Sequence, residues 1–129
     1  MKLLLDTHIW LWSLGDPVRL SKRVRAELEN RANEVWVSSV STWEALMLNA
    51  KNRIQLPSDL DAWFARAASY IREAPLTHEI AFLAHRLQLP HKDPADRFLA
   101  ATAKLLGLVL VTQDPELLGL GDIQTLANR

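Results

Sequence analysis

Two short apolar runs, each followed by an aspartate, constrain this chain more than any other feature. Lys2–Leu5 stops at Asp6, and Leu108–Thr112 is followed two residues later by Asp114. Unbroken runs of this length are the form taken by strands buried on both faces, as in a parallel sheet covered by helices. The intervening sequence supplies those helices. A short helix is expected through Ile9–Leu14, broken by Gly15-Asp16-Pro17, and Ser21 caps a charged helix to about Ala32. Val35–Val37 reads as a second strand, with a helix from about Val40 to Lys51 behind it. Pro57-Ser58 opens a helix whose apolar stripe is Leu60, Trp63, Phe64, Ala67 and Ile71. Arg72–Leu76 suits an edge strand because of Pro75. Helices His78–Leu87 and Ala95–Leu106 follow, the second closed by Gly107. A turn after Asp114-Pro115 and a strand over Ile123–Leu126 complete one α/β layered domain spanning residues 1–129.

Composition narrows the function classes. A chain of 129 residues with 49% hydrophobic content can fill one core, which excludes disorder. No apolar run approaches the roughly 18–20 residues that span a bilayer. Asp6 interrupts the N-terminal run too early for a signal peptide. The absence of cysteine removes disulfides, thiolate metal sites and cysteine nucleophiles, and fits a cytoplasmic setting. Basic and acidic residues balance at 15 each, so bulk charge announces no nucleic-acid binder.

The acids matter through position. Asp6 and Asp114 follow strands, Glu44 lies in the first turns of the helix after the second strand, and Asp96 in the first turn of a later helix. In a parallel sheet, strand C-termini and the helix N-termini they feed share the edge where ligands bind. Each acid also has an ordinary reading. Asp6 and Asp114 suit helix N-caps, Ser41-Thr42-Trp43-Glu44 matches a capping box, and Asp96 complements a helix dipole. As a set they are harder to dismiss, because two carboxylates about 4 Å apart repel by about 4 kcal/mol at an effective dielectric of 20. Gathering four calls for protonation or a cation, and hard oxygen donors suit Mg²⁺ or Mn²⁺.

Leu3-Leu4-Leu5-Asp6-Thr7-His8 and Val37-Ser38-Ser39-Val40-Ser41-Thr42-Trp43-Glu44 resemble the opening motifs of PIN-domain nucleases. Asp93-Pro94-Ala95-Asp96-Arg97-Phe98-Leu99-Ala100-Ala101-Thr102-Ala103 and Leu110-Val111-Thr112-Gln113-Asp114 resemble the closing ones. The four motifs stand in family order over nearly the whole chain, and are similar in particular to VapC-type toxins of bacterial toxin–antitoxin pairs. The resemblance implies a three-layer α/β/α PIN-like domain around a mainly parallel sheet. It implies a metal-dependent endoribonuclease using Mg²⁺ or Mn²⁺ at Asp6, Glu44, Asp96 and Asp114, leaving a 5′-phosphate and a 3′-hydroxyl. It also implies an RNA substrate, a cognate antitoxin and a homodimer. Asp93 is assigned to capping, because Asp96 is the acid followed by Arg97-Phe98-Leu99-Ala100-Ala101. A catalytically silent PIN-fold module that binds RNA or a partner is the alternative.

Smaller expectations attach to this frame. With the four acids set aside, 11 acidic residues face 15 basic ones, which suits a polyanionic substrate. Lys92 and Arg97 flank the acidic motif as phosphate contacts, although Arg97 also suits an i,i+4 pair with Asp93. Thr7 and Thr112 are candidates for touching substrate, holding the carboxylates or a water, or tying a turn. His8 and His91 adjoin the motifs, and the four histidines lack zinc spacing. Trp43 and Trp63 are expected in the core, with one of Trp10 and Trp12 buried and the other open to a partner. A phosphotransfer receiver would need an acidic pair at the end of strand one, where only Asp6 stands.

Overall fold

The structure is a computed structural model that describes residues 1–89 and 93–129. In chain order the elements are β1 (Lys2–Leu5), α1 (Thr7–Gly15), a 3-10 turn (Pro17–Arg19), α2 (Lys22–Glu29), β2 (Glu34–Ser38) and α3 (Ser39–Ala50). There follow α4 (Leu60–Ala68), β3 (Arg72–Ala74), α5 (His78–Arg86), α6 (Pro94–Leu106), β4 (Val109–Thr112), α7 (Pro115–Leu118) and β5 (Gln124–Ala127). The strands form one sheet in the order β3-β2-β1-β4-β5, and every pairing is parallel.

Strand side chains alternate between faces, and this alternation builds two cores from one sheet. Leu3, Leu5 and Val111 point to one side, where Ile9 and Trp10 of α1, Val24 of α2, Ala45 of α3 and Trp63 of α4 cover them. Leu4 and Leu110 point to the other, against Leu99, Ala100 and Ala103 of α6 and Leu117 of α7. Ile80 and Ala84 of α5 pack in turn against Ala101 of α6. The result is a helix–sheet–helix sandwich in which β1 and β4 are wetted on neither face.

The strand order fixes where a site can lie. The chain lays β2 and then β3 on one side of β1, and crosses through α5 and α6 to lay β4 on the other. Between β1 and β4 the winding reverses, and the crevice beyond their C-terminal ends is the place where open α/β sheets take ligands. Leu5 pairs with Val111, and the Asp6 amide continues the ladder to the Val111 carbonyl at 3.0 Å.

Several expectations need correction. The helix after Ser21 stops at Glu29 rather than Ala32, because the Asn30 side chain accepts the Ala32 amide at 3.0 Å and turns the chain. Trp43 is 63% exposed rather than in the core, since α3 buries Ser41 and Ala45 and Trp43 stands two residues from each. On α4, Trp63 and Ala67 are buried, whereas Leu60 and Phe64 are left on the rim. The expected parallel sheet in a three-layer α/β/α domain is borne out, with every pairing parallel.

Helix α6 shows how tightly local sequence sets a boundary. Asp93 accepts the Ala95 amide, Pro94 occupies the first helical position, and Gly107 closes the helix at φ +65°. A Cβ on Gly107 would meet nothing within 4 Å, so a substitution there is penalised by backbone conformation alone. Gly107→Ala is therefore expected to lower unfolding stability by about 1 kcal/mol without altering the fold, read from the urea midpoint at unchanged slope.

Candidate active site

Four local rules bring the acids to the β1/β4 crevice. Asp6 ends β1 and caps α1, accepting the Thr7 amide at 2.7 Å. Asp114 follows β4 and caps α7, accepting the Glu116 amide at 2.9 Å. Asp96 lies in the first turn of α6 beside its cap, Asp93. Glu44 projects from α3, which β2 feeds directly. All five carboxylates line one open cleft of about 590 Å³, together with His8, Trp12, Arg19 and Gln113. Asp93 is thus a cap, as expected, and a wall of the cleft as well.

The capping-box reading of Glu44 does not survive. Ser38 is the N-cap of α3, accepting the Val40 amide at 3.1 Å, and Ser41 is buried a turn further on. Glu44 is left with no capping duty. The N-cap readings of Asp6 and Asp114 do hold.

Two buried threonines hold the acids in place. Thr112 Oγ1 donates to Asp6 Oδ2 at 2.7 Å and accepts the Asp114 amide at 3.1 Å, so one hydroxyl ties the acids of adjacent strands. Thr7 Oγ1 stands between Ser41 Oγ, at 2.9 Å, and the Glu44 carboxylate, whose ionised form it favours. In that pair the Thr7 hydroxyl donates to Ser41 Oγ, joining α1 to α3. Both threonines are almost wholly buried. Each hydroxyl is thus spent on groups of the site, Thr112 on Asp6 and the Asp114 amide and Thr7 on Ser41 and Glu44.

Burial raises the Asp6 carboxyl above its ordinary value, against the opposing pull of its bonds to Thr112 and Thr7; nearby Asp114 adds to the rise. Burial is also the first cause of the rise at Glu44, with Asp93 and Asp6 adding to it and the Thr7 bond opposing it. Among the described residues, no three acidic or histidine side chains are gathered at ligating distance. The donor set nonetheless suits a hard divalent cation: every candidate is a carboxylate, and two are held in surroundings that penalise negative charge.

The basic residues proposed near phosphate fare differently. Arg97 spends its guanidinium on the carbonyls of Ala84 (3.1 Å), His85 (3.3 Å) and Leu87 (2.9 Å), capping the end of α5. These bonds occupy its Nε and Nη2. Lys92 and His91 lie outside the described residues. His8 is exposed in the cleft, its ring 5.8 Å from that of Trp12. Arg19, which motif reading passed over, also lines the cleft. Trp10 is buried and Trp12 only half so.

Comparison with known proteins agrees with this arrangement. The pattern describing the PIN domain matches residues 3–122. Ribonuclease VapC22 of Mycobacterium tuberculosis (strain ATCC 25618 / H37Rv) is 36% identical over 117 residues, covering 88% of each chain. Among solved structures, DNA-bound VapBC from Salmonella typhimurium superposes with a TM-score of 0.76 at 18% identity, over 100% of this chain and 99% of that one. VapBC2 from Rickettsia felis, bound to a promoter DNA fragment, gives 0.74 at 16% identity over 98% of both.

The raised carboxyls give a stability signature with a definite sign. A carboxyl raised in the folded state binds more protons there than in the unfolded chain, so stability falls as pH rises through the window between its two values. Asp6→Asn keeps the cap and escapes that loss. Without divalent cation it is expected to melt above the parent at pH 7, with the gap closing below about pH 4, where the parent carboxyl is protonated in both states. Thermal melts across pH check this.

Proposed function

The chain belongs to the PIN domain family, and on that premise we propose that it is a single-domain endoribonuclease of the VapC type, the toxin of a toxin–antitoxin pair. It hydrolyses RNA phosphodiester bonds with Mg²⁺ or Mn²⁺ held by Asp6, Glu44, Asp96 and Asp114. The observation that carries this reading is the meeting in one cleft of acids spread from position 6 to position 114. A scaffold has no use for five carboxylates in one cleft, two of them held where burial penalises their charged form.

A divalent cation bound there would neutralise charge on the phosphate and activate a water. The chain's own part is geometric. Asp6 is clamped between the Thr7 amide and the Thr112 hydroxyl, leaving little rotamer freedom to lose on binding. Glu44 is steadied by Thr7 from a different helix. Asp114 is held to the same hydroxyl as Asp6 through its amide, so the two strand ends move together. Such pre-set donors favour the charge distribution of the transition state without reorganising during the reaction.

Partners follow from the apolar surface. An open groove of about 520 Å³, lined by Leu11, Trp12, Ile54, Leu56, Trp63 and Tyr70, suits a segment of an antitoxin. A shallower hollow of about 260 Å³ between Val40, Trp43, Leu76 and Phe98 suits a second copy of the chain. No helix among the described residues is long and apolar enough to cross a membrane.

The purified protein is expected to cut total cellular RNA with Mg²⁺ or Mn²⁺ and to stop on chelation. Asp6→Asn and Asp96→Asn are each expected to lower the cleavage rate by at least about a hundredfold in folded protein. RNA binding with no cleavage under any divalent cation would favour the silent module instead.

A further inference from the structure

The candidate cleft poses an electrostatic problem that its carboxylates cannot solve. Asp6, Glu44, Asp93, Asp96 and Asp114 all line it, and an RNA strand brings more negative charge. Among the described lining residues, Arg19 is the only lysine or arginine. It comes from the 3-10 turn between α1 and α2 and belongs to none of the acidic motifs.

Arg19 is held as a built feature. Its guanidinium lies over the Trp12 ring, 4.7 Å from the centroid, within the range of a favourable cation–π contact. Trp12 is itself steadied by the core beneath it and by the His8 ring. The turn carrying Arg19 is pinned at its backbone. The buried Asn128 donates from Nδ2 to the Arg19 carbonyl at 3.1 Å and to Gln113 Oε1 at 3.3 Å, and accepts the Ser21 amide at 2.7 Å. The Asn128 amide completes the tie to the Thr112 carbonyl at 2.9 Å. Leu20 anchors the same turn in the core. The turn is therefore fastened to the strand end that carries Thr112, Gln113 and Asp114.

A face-stacked guanidinium keeps its N–H edges directed outward, and those edges match the geometry of a phosphate. We propose that Arg19 is a substrate-binding residue that grips a backbone phosphate of the bound RNA, with Trp12 as its positioning residue. The inference rests on the ribonuclease reading above. Arg19 supplies the attraction that brings a polyanion to an acidic cleft, and Trp12 reduces the side-chain entropy lost when the contact forms.

The test measures binding of a fluorescein-labelled, mixed-sequence single-stranded oligoribonucleotide to the cleavage-deficient Asp96→Asn protein in Mg²⁺, over a range of salt. Arg19 is exposed, so Arg19→Ala in that background should fold as the parent does. Arg19→Ala is expected to bind about tenfold more weakly, with the salt slope shallower by about 0.7, the single-strand value for one phosphate. Arg19→Lys should keep the slope at intermediate affinity, and Trp12→Phe should bind better than Trp12→Ala. In the otherwise wild-type protein, Arg19→Ala should raise KM about tenfold and leave kcat within about twofold. Unchanged affinity in Arg19→Ala, or weakened affinity at an unchanged salt slope, overturns the phosphate grip alone. A parent that neither binds nor cuts RNA overturns the ribonuclease reading and this inference with it.

Discussion

Carboxylates held out of water at the C-terminal edge of the sheet are the constraint around which the molecule is organised. Burial penalises the charged form of a carboxylate, and a typical domain is held folded by only about 5–15 kcal/mol. This chain sets five around one cleft and raises two of them further by burial. Such an arrangement persists only if the scaffold beneath it is stiff. The stiffness comes from β1 and β4, whose leucines and valines are covered on both faces by separate cores.

The scaffold does more than bear that penalty. Hydrogen bonds from Thr7 and Thr112 favour the ionised carboxylates and so oppose the burial that disfavours them. At Asp6 and Glu44 burial outweighs those bonds, and the carboxyl is raised at each. On the proposed reading, a divalent cation held there would offset the negative charge of the set. The single arginine at the described cleft wall fits the same logic, because a site built from negative charge needs a fixed positive group to admit a polyanion.

Much of the fold was legible because it rests on local patterns. The runs at Lys2–Leu5 and Val109–Thr112, the Asp93-Pro94 start and the Gly107 stop of α6 are short-range signals with short-range causes. The acids were legible through position, since an aspartate just after a buried strand has little choice but to sit at the sheet edge. What escaped was set by tertiary contacts. Ser41 looked like the start of a capping box, but β2 runs straight into α3, and Ser38 takes the cap. Arg97 looked free to meet phosphate until α5 packed beside α6 and offered it three carbonyls. Arg19 sits in a loop with no motif, and Asn128, 109 residues away, helps fasten that loop to the strand end at the cleft. No periodicity or motif carries a contact of that range.

The central claim is that the folded chain gathers its distant acids into a receptor for one hard divalent cation. Calorimetric titration of the metal-free protein with Mn²⁺ addresses this most directly, because it needs neither RNA nor turnover. The account predicts saturable uptake by the wild-type protein, weakened at least tenfold by Asp6→Asn and by Asp96→Asn. No saturable uptake, or uptake that both variants retain undiminished, would contradict it.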